Sequence, residues 1–309
     1  MKSLVGYTGF VGSNIAAKGD FDNLYNSKNI TDSFGTAPDL LVYAGVRAEM
    51  FLANNAPEKD FAQIQEAFEN IKKIAPKQVV LISTISVYGE NPHGDEDTAI
   101  DEEKLTAYGI NRLWLEKQVA SAFDKHLIVR LPALYGKNLK KNFIYDYINV
   151  IPAMLKKEKF TELLAQNANL GDFYALQENG FYKCKELNDA ERAELKAFFK
   201  SCGFSALNFT DSRSRYQFYN LSHLFEHIQT ALQNGIEKLN ITTEPVSVSE
   251  LYEFLEGKPF VNELAKTPFN QDLRSKHAEL FGGKDGYFFD KQFVKEDIKR
   301  FIEGEKTRL

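Results

Sequence analysis

The sequence has little of what several protein classes require. Its 309 residues include only two cysteines, Cys184 and Cys202, too few for a disulfide framework and suited to a reducing compartment. It has no uninterrupted apolar run of about 18 residues, the length that a membrane-spanning helix needs. Lys and Arg number 38 against 43 Asp and Glu, without a basic stripe for phosphate backbones. We therefore expect a cytoplasmic protein with no membrane span and no nucleic-acid partner.

The first 135 residues alternate between short apolar runs and helical patterns. Apolar residues at Phe61, Ile64, Phe68 and Ile71 are spaced three or four apart, as on one face of a helix. The run 78–84 is continuously apolar, which is typical of a parallel strand buried on both faces. Strands are predicted at 2–5, 23–26, 39–45, 78–84 and 126–130, and helices at 13–17, 57–74 and 105–123. This alternation predicts a doubly wound parallel α/β sheet.

The rest of the chain is less regular. Helical patterns cover 144–164 and 189–200, and a strand is predicted at 238–242. We expect residues 1–136 to form a dinucleotide-binding domain, to which 215–245 return. Residues 137–214 and 246–309 are then predicted to form a smaller α/β substrate-binding region.

A glycine-rich turn follows the first strand and precedes a helix. Gly6, Gly9 and Gly12 form a G-x-x-G-x-x-G pattern, in which glycine lets a backbone approach a pyrophosphate at a helix N-terminus. An ordinary glycine-rich turn is the alternative, but the position between strand and helix favours dinucleotide binding. The cofactor-binding residues predicted in this turn are Gly6, Thr8, Gly9, Phe10, Val11 and Gly12.

The end of the second strand indicates which dinucleotide is bound. An acidic residue there binds the ribose hydroxyls of NAD, whereas a cation accommodates the additional phosphate of NADP. The segment here is Tyr25-Asn26-Ser27-Lys28, without a carboxylate. Ser27 and Lys28 therefore favour NADP over NAD, although NAD stays possible and Lys28 could be an ordinary surface lysine.

Three further segments carry a family resemblance. They are 81–89 (LISTISVYG), 108–116 (YGINRLWLE) and 129–136 (VRLPALYG). In this order after the glycine turn, they resemble the extended short-chain dehydrogenase/reductase family, which includes nucleotide-sugar epimerases, dehydratases and reductases. The resemblance covers residues 1–136 well and is patchier beyond. It implies a Rossmann-type fold, a nucleotide-sugar substrate and a homodimer formed through helices 57–74 and 105–123.

The resemblance also implies roles for individual residues. Thr84 and Tyr108 occupy the family's catalytic positions, and Arg112 stands where the family has a catalytic lysine. Further cofactor contacts, besides Tyr108 and Arg112, are implied for Ala44, Gly45, Val46, Ser83 and Pro132. Substrate contacts are expected at Arg47, Ser86, Arg213 and Arg215. Arg215 is one position away from the family's diphosphate-binding arginine, which aligns with Tyr216.

The tyrosine chemistry depends on Arg112. Free tyrosine has a pKa near 10, and a cation four residues along the helix can lower it by about 1–3. Arg112 either supports catalysis in this way or displaces the cofactor through its bulk, and we expect retained activity. The acidic pair of the family's dehydratases is replaced by Ile85-Ser86, which disfavours dehydration. Keto-sugar reduction is thus the first hypothesis, with epimerisation or non-catalytic NAD(P) binding as alternatives, and no metal site is expected.

Overall fold

The computed structural model describes residues 1–306, which divide into two compact units. Unit 1 comprises Met1–Leu139, Arg215–Ser247 and Phe269–Lys299, and unit 2 comprises Lys140–Ser214, Val248–Pro268 and residues 300–306. The sequence assigned 269–299 to the substrate-binding region, whereas they lie in unit 1. The reason is tertiary, since Leu273, Ala278 and Phe288 are buried in the cores of unit 1.

The elements of the chain up to Tyr135 all belong to unit 1. They are β1 (Lys2–Val5), α1 (Phe10–Ala16), β2 (Asn23–Tyr25), β3 (Leu40–Tyr43), α2 (Met50–Asn55), α3 (Pro57–Ile74), β4 (Val79–Thr84), α4 (Ala107–Ala122), β5 (His126–Leu131) and β6 (Ala133–Tyr135). Helix α3 has the predicted bounds because Pro57 suits the first helical turn and Ala75 ends the helix in the left-handed conformation.

Unit 2 contains the middle of the chain. Its elements are α5 (Phe143–Asn149), β7 (Met154–Leu155), α6 (Lys157–Leu164), α7 (Leu170–Phe173), β8 (Tyr174–Leu176), β9 (Tyr182–Cys184) and α8 (Asp189–Ser201). Strands β7, β9 and β8 form an antiparallel sheet. The predicted helix 144–164 is wrong, because Val150 adopts φ +66° and Pro152 follows, which ends the helical hydrogen-bond pattern.

The remaining elements complete both units. Unit 1 gains β10 (Arg215–Tyr216), β11 (Phe218–Asn220), α9 (Leu224–Gln233), β12 (Lys238–Asn240) and β13 (Val246–Ser247). Unit 2 gains α10 (Val248–Glu256), and α11 (Lys291–Lys306) begins in unit 1. Within residues 1–306, none of the helices combines the length and apolar character that crossing a membrane requires.

The central sheet of unit 1 has six parallel strands in the order β12-β5-β4-β3-β1-β2. Alternate residues of each strand point to opposite faces, and both faces are apolar. Val80 and its neighbours pack with α1 and α9 on one face, while Val79 and Leu81 pack with α3 and α4 on the other. The predicted doubly wound α/β fold is therefore confirmed.

Candidate active site

The order of the strands reverses beside β1. Strand β2 pairs with one side of β1 and β3 with the other, so a crevice forms outside the carboxyl ends of β1 and β3. Gly6 adopts φ +89°, and a Cβ atom there would lie 2.4 Å from the Ala44 carbonyl oxygen. A Cβ atom at Gly12 would lie 2.1 Å from the Gly6 carbonyl oxygen. The turn therefore requires glycine at both positions in order to pack against the end of β3.

Gly9 differs from these two glycines. It caps the N-terminus of α1 at φ −78°, a conformation open to any residue. Within the described chain, a Cβ atom at Gly9 would meet only the Gly6 carbonyl oxygen, at 3.3 Å. The space above Gly9 is thus open, as a bound pyrophosphate requires.

The other predicted cofactor residues lie at the same edge of the sheet. Thr8, Phe10 and Val11 belong to the glycine turn and the start of α1, while Ser83 ends β4 and Pro132 follows β5. Ala44, Gly45 and Val46 follow β3. Parallel strands bring all of these carboxyl ends to one edge.

The turn after β2 presents Ser27 and Lys28 to solvent. Its backbone is held by two asparagines: the Lys28 N–H donates to Asn26 Oδ1 at 2.8 Å, and the Asn26 N–H donates to Asn29 Oδ1 at 2.7 Å. Both exposed side chains remain available to a phosphate.

Thr84 and Tyr108 are brought together by β4 and α4. Thr84 is the last residue of β4, and its hydroxyl donates to Ser86 Oγ at 3.1 Å and accepts from the Ser86 N–H at 3.1 Å. Tyr108 lies in the first turn of α4, and its phenol is hydrogen-bonded to Thr84. The two predicted catalytic hydroxyls and Ser86 therefore form one cluster.

Arg112 lies against Tyr108 one turn further along α4. Its guanidinium carbon is 3.8 Å from the centroid of the Tyr108 ring. Both guanidinium arms donate to Asp60 on α3, with Nη2 at 2.9 Å from Oδ1 and Nη1 bound to Oδ2. Nη2 also donates to the Arg47 carbonyl oxygen at 2.8 Å. The cation that sequence analysis placed beside Tyr108 is thus neutralised by a carboxylate that it missed.

The pKa of Tyr108 is raised above its usual value of 10. Burial is the main cause, because only 7% of the residue is exposed. Arg112 lowers this pKa, but Asp60 raises it. The expectation that Arg112 would depress the pKa of Tyr108 is wrong as a net effect, since burial and Asp60 outweigh the guanidinium.

A buried polar network lies beside this cluster. The Ser83 hydroxyl donates to Glu116 Oε1 at 2.5 Å, and Arg130 Nε donates to both oxygens of Glu116 at 3.1 Å. Arg130 also donates to the Tyr88 hydroxyl at 2.7 Å. The Ser83 side chain is thus committed to the protein, which leaves its backbone for a cofactor. Glu116 and Arg130 belong to the family-like segments, yet the sequence assigned them no role.

The predicted substrate residues do not form one group. Ser86 belongs to the Thr84 cluster, and Arg47 is exposed after β3, 3.9 Å from Glu49. Arg213 lies in unit 2, where it binds Asp211 through two nitrogens and pairs with Glu263 at 2.9 Å. Those contacts commit the Arg213 guanidinium to its own unit, which argues against the predicted phosphate contact. Arg215 is exposed on β10, outside the six-stranded sheet.

Two observations test whether a dinucleotide fits here. The open space above Gly9 would be filled by a side chain at that position. Arg112 Nε is buried and has no hydrogen-bond partner among residues 1–306. An orphaned buried donor is costly unless a group from outside the chain accepts from it. The site therefore fits a ligand that carries both phosphate and hydroxyl groups.

The family resemblance is confirmed over part of the chain. Residues 20–168 match the NAD dependent epimerase/dehydratase family. The match includes the Thr84, Tyr108 and Arg112 segments and begins after the glycine turn. No curated protein sequence is a significant match to the chain.

Solved structures share the fold at low sequence identity. The dTDP-4-dehydrorhamnose reductase of Yersinia enterocolitica has TM-score 0.63 and 14% identity, covering 98% of each chain. The dTDP-4-dehydrorhamnose reductase of Bacillus anthracis, in complex with NADP, has TM-score 0.62 and 14% identity, covering 98% of this chain and 97% of that one. The UDP-N-acetylglucosamine 4-epimerase of Methanobrevibacter ruminantium has TM-score 0.60 and 12% identity, covering 100% of this chain and 98% of that one. These likenesses show the fold.

Proposed function

We propose that this chain, which matches the NAD dependent epimerase/dehydratase family over residues 20–168, is an NADP-dependent reductase of a nucleotide-linked keto sugar. The observation that carries the proposal is the position of the Thr84–Tyr108–Arg112 cluster. It lies at the same sheet edge as a glycine turn that is open above Gly9. Both reductases and epimerases of nucleotide sugars occur among proteins with this fold.

Exposed groups after β2 support NADP as the cofactor. Ser27 and Lys28 are exposed there, and the segment 25–28 carries no carboxylate for a ribose diol. The glycine turn and Ala44–Val46 would hold the pyrophosphate end, and Arg112 Nε would donate to the cofactor near Tyr108. NADH stays a possible second donor. When bound, the reduced cofactor supplies the hydride.

Tyr108 acts as the proton donor in this proposal. Its raised pKa keeps the phenol protonated near neutral pH, which suits donation to the oxygen of a ketone. Thr84 orients the phenol through their shared hydrogen bond. Epimerisation would first need Tyr108 as a base, so its raised pKa favours reduction. Dehydration lacks its acid pair, because Ile85 and Ser86 follow Thr84.

Calorimetric titration with NADPH and NADH tests the proposal first. We expect tighter binding of NADPH, followed by oxidation of NADPH in the presence of members of a nucleotide-linked keto-sugar panel. Tyr108→Phe should bind NADPH as wild type does and lose on the order of 100-fold or more in turnover, as for removal of a general acid. Failure of the wild-type protein to bind either dinucleotide would contradict the proposal.

A non-catalytic dinucleotide-binding protein is the second candidate. It is favoured by the replacement of the family's lysine by Arg112, which is locked to Asp60. The Arg112→Lys variant helps to separate the two candidates. NADPH binding without turnover of any sugar, in both the wild type and Arg112→Lys, would favour the binding protein.

A further inference from the structure

Asp60 is a buried carboxylate in contact with the proposed proton donor's neighbour. Only 2% of the residue is exposed, and it lies in the first turn of α3. Besides both arms of Arg112, it accepts a hydrogen bond from Asn111 Nδ2 at 2.7 Å. Three donors from α4 therefore converge on one side chain of α3.

Such an arrangement needs a reason other than stability. Burying two charges costs so much solvation that apolar residues of similar volume often serve a fold equally well. The pair also leaves Arg112 Nε without a partner among residues 1–306, which adds to its cost. An orienting role at the site accounts for a pair that stability alone does not favour.

We propose that Asp60 is a positioning residue that fixes the Arg112 guanidinium on the Tyr108 ring and cancels its charge, so that Tyr108 remains a proton donor. The proposal rests on the proposed function, since it names the residue that sets the direction of the reaction. Asp60 does not contact the reacting atoms in this account. It acts through Arg112.

The charges that face Tyr108 support this role. Arg112 lowers the pKa of Tyr108 and Asp60 raises it, while burial raises it further. The remaining neighbours on α2, β4 and the turn after β4 are polar but uncharged at neutral pH: Asn54, Thr84 and Ser86. In the loop after β3, Arg47 and Glu49 face one another in an exposed ion pair. The Arg112–Asp60 pair is thus the buried charge balance beside the phenol.

The reaction that this arrangement favours is a balanced reduction. Hydride from the reduced cofactor forms the new C–H bond at the ketone carbon, and the carbonyl π electrons move to oxygen. That oxygen takes the proton of the Tyr108 phenol, whose O–H bond breaks. Solvent then returns a proton to the tyrosinate. The oxidative direction needs the phenolate at the start, and the charge cancellation disfavours it.

Fluorine NMR of 3-fluorotyrosine incorporated at position 108 tests the proposal without requiring activity. The ionisation midpoint of this residue should fall by about one pH unit in Asp60→Asn, because the buried guanidinium is then uncancelled. Glu58→Gln is the matched control, since it removes an exposed carboxylate from the same turn of α3. The midpoint of that control should remain at the wild-type value.

A second variant covers the case in which Asp60→Asn does not fold. Asp60→Asn with Arg112→Gln removes both buried charges, and its midpoint should stay within about half a pH unit of wild type, because the two charges cancel. A rise of about one unit or more in this double variant would show that Arg112 acts uncancelled, and would overturn the proposal. An unchanged midpoint in a folded Asp60→Asn variant would overturn it as well.

Kinetics separate this proposal from the proposed function. In folded Asp60→Asn, the pH at which reduction declines should move down with the midpoint, and the ratio of oxidative to reductive turnover should rise about tenfold. If the midpoint shifts while no sugar is turned over by any form, the positioning role stands and the reductase assignment fails. If sugars are reduced and the pH profile does not move, the positioning role fails alone.

Discussion

At the scale of single residues, His227 shows how burial changes an ionisable group. Its Nδ1 shares a hydrogen bond of 2.7 Å with the Tyr219 hydroxyl, and its ring packs against Phe281 and Phe288. Burial, followed by the charge of His223, lowers the pKa of His227 from 6.5 to about 4. The folded protein therefore holds this imidazole in its neutral form.

This lowered pKa predicts a loss of stability in acid. Between pH 6.5 and about 4 the unfolded chain takes up a proton at His227 that the folded chain does not. The free energy of unfolding from this group is thus complete above pH 6.5 and falls by about 3 kcal/mol toward pH 4. Urea denaturation of wild type and His227→Gln at several pH values measures the difference. Equal slopes against pH in the two proteins would contradict the prediction.

The candidate site also shows what residue spacing can reveal. Tyr108 and Arg112 are four residues apart, so the sequence alone places them on one helix face. Asp60 is 52 positions from Arg112, and its hydrogen bonds depend on the packing of α3 against α4. No local pattern predicts that contact, and with it the net pKa of Tyr108 changed direction.

At the scale of elements, the glycine turn separates packing from ligand binding. Gly12→Ala should lower the free energy of unfolding by about 1–3 kcal/mol, because its Cβ atom would clash with the Gly6 carbonyl oxygen. Gly9→Ala should keep near wild-type stability, since its φ suits alanine, and should weaken NADPH binding at least about tenfold by filling the open space.

Chemical denaturation and calorimetry measure the two effects of the glycine variants. Each variant serves as the control for the other. Wild-type stability in Gly12→Ala, or undiminished NADPH affinity in a folded Gly9→Ala, would refute the corresponding half of the prediction.

Most elements near the site could be predicted because their patterns are local. The apolar run at 78–84 and the period of 57–74 correspond to β4 and α3. The pattern 144–164 failed because apolar spacing continues through Pro152, while the backbone turns at Val150. Periodicity indicates which residues are apolar on one face, but not where the hydrogen bonds stop.

At the scale of the whole molecule, we predict a homodimer through α3 and α4. These helices pack together, with the Trp114 ring 5.1 Å from Phe61 and 5.9 Å from Phe68, and Ile110 of α4 is 41% exposed. Light scattering at micromolar concentration should give twice the chain mass of 35.2 kDa.

Ile110→Glu should shift the oligomeric state toward monomer, because it places a charge among the apolar groups of the predicted interface. Leu280→Glu, at a position with 45% exposure elsewhere in unit 1, is the control and should remain dimeric. A monomer mass for the wild-type protein would refute the dimer.

The sequence by itself determined the doubly wound class, the glycine turn and the segments that carry Thr84, Tyr108 and Arg112. Each of these depends on spacing within one element or on the order of elements. The tertiary structure decided that 269–299 return to unit 1, that Arg213 is committed to Asp211, and that Asp60 neutralises Arg112. These outcomes depend on burial and on contacts between distant segments, whose free energies arise only once the chain has packed.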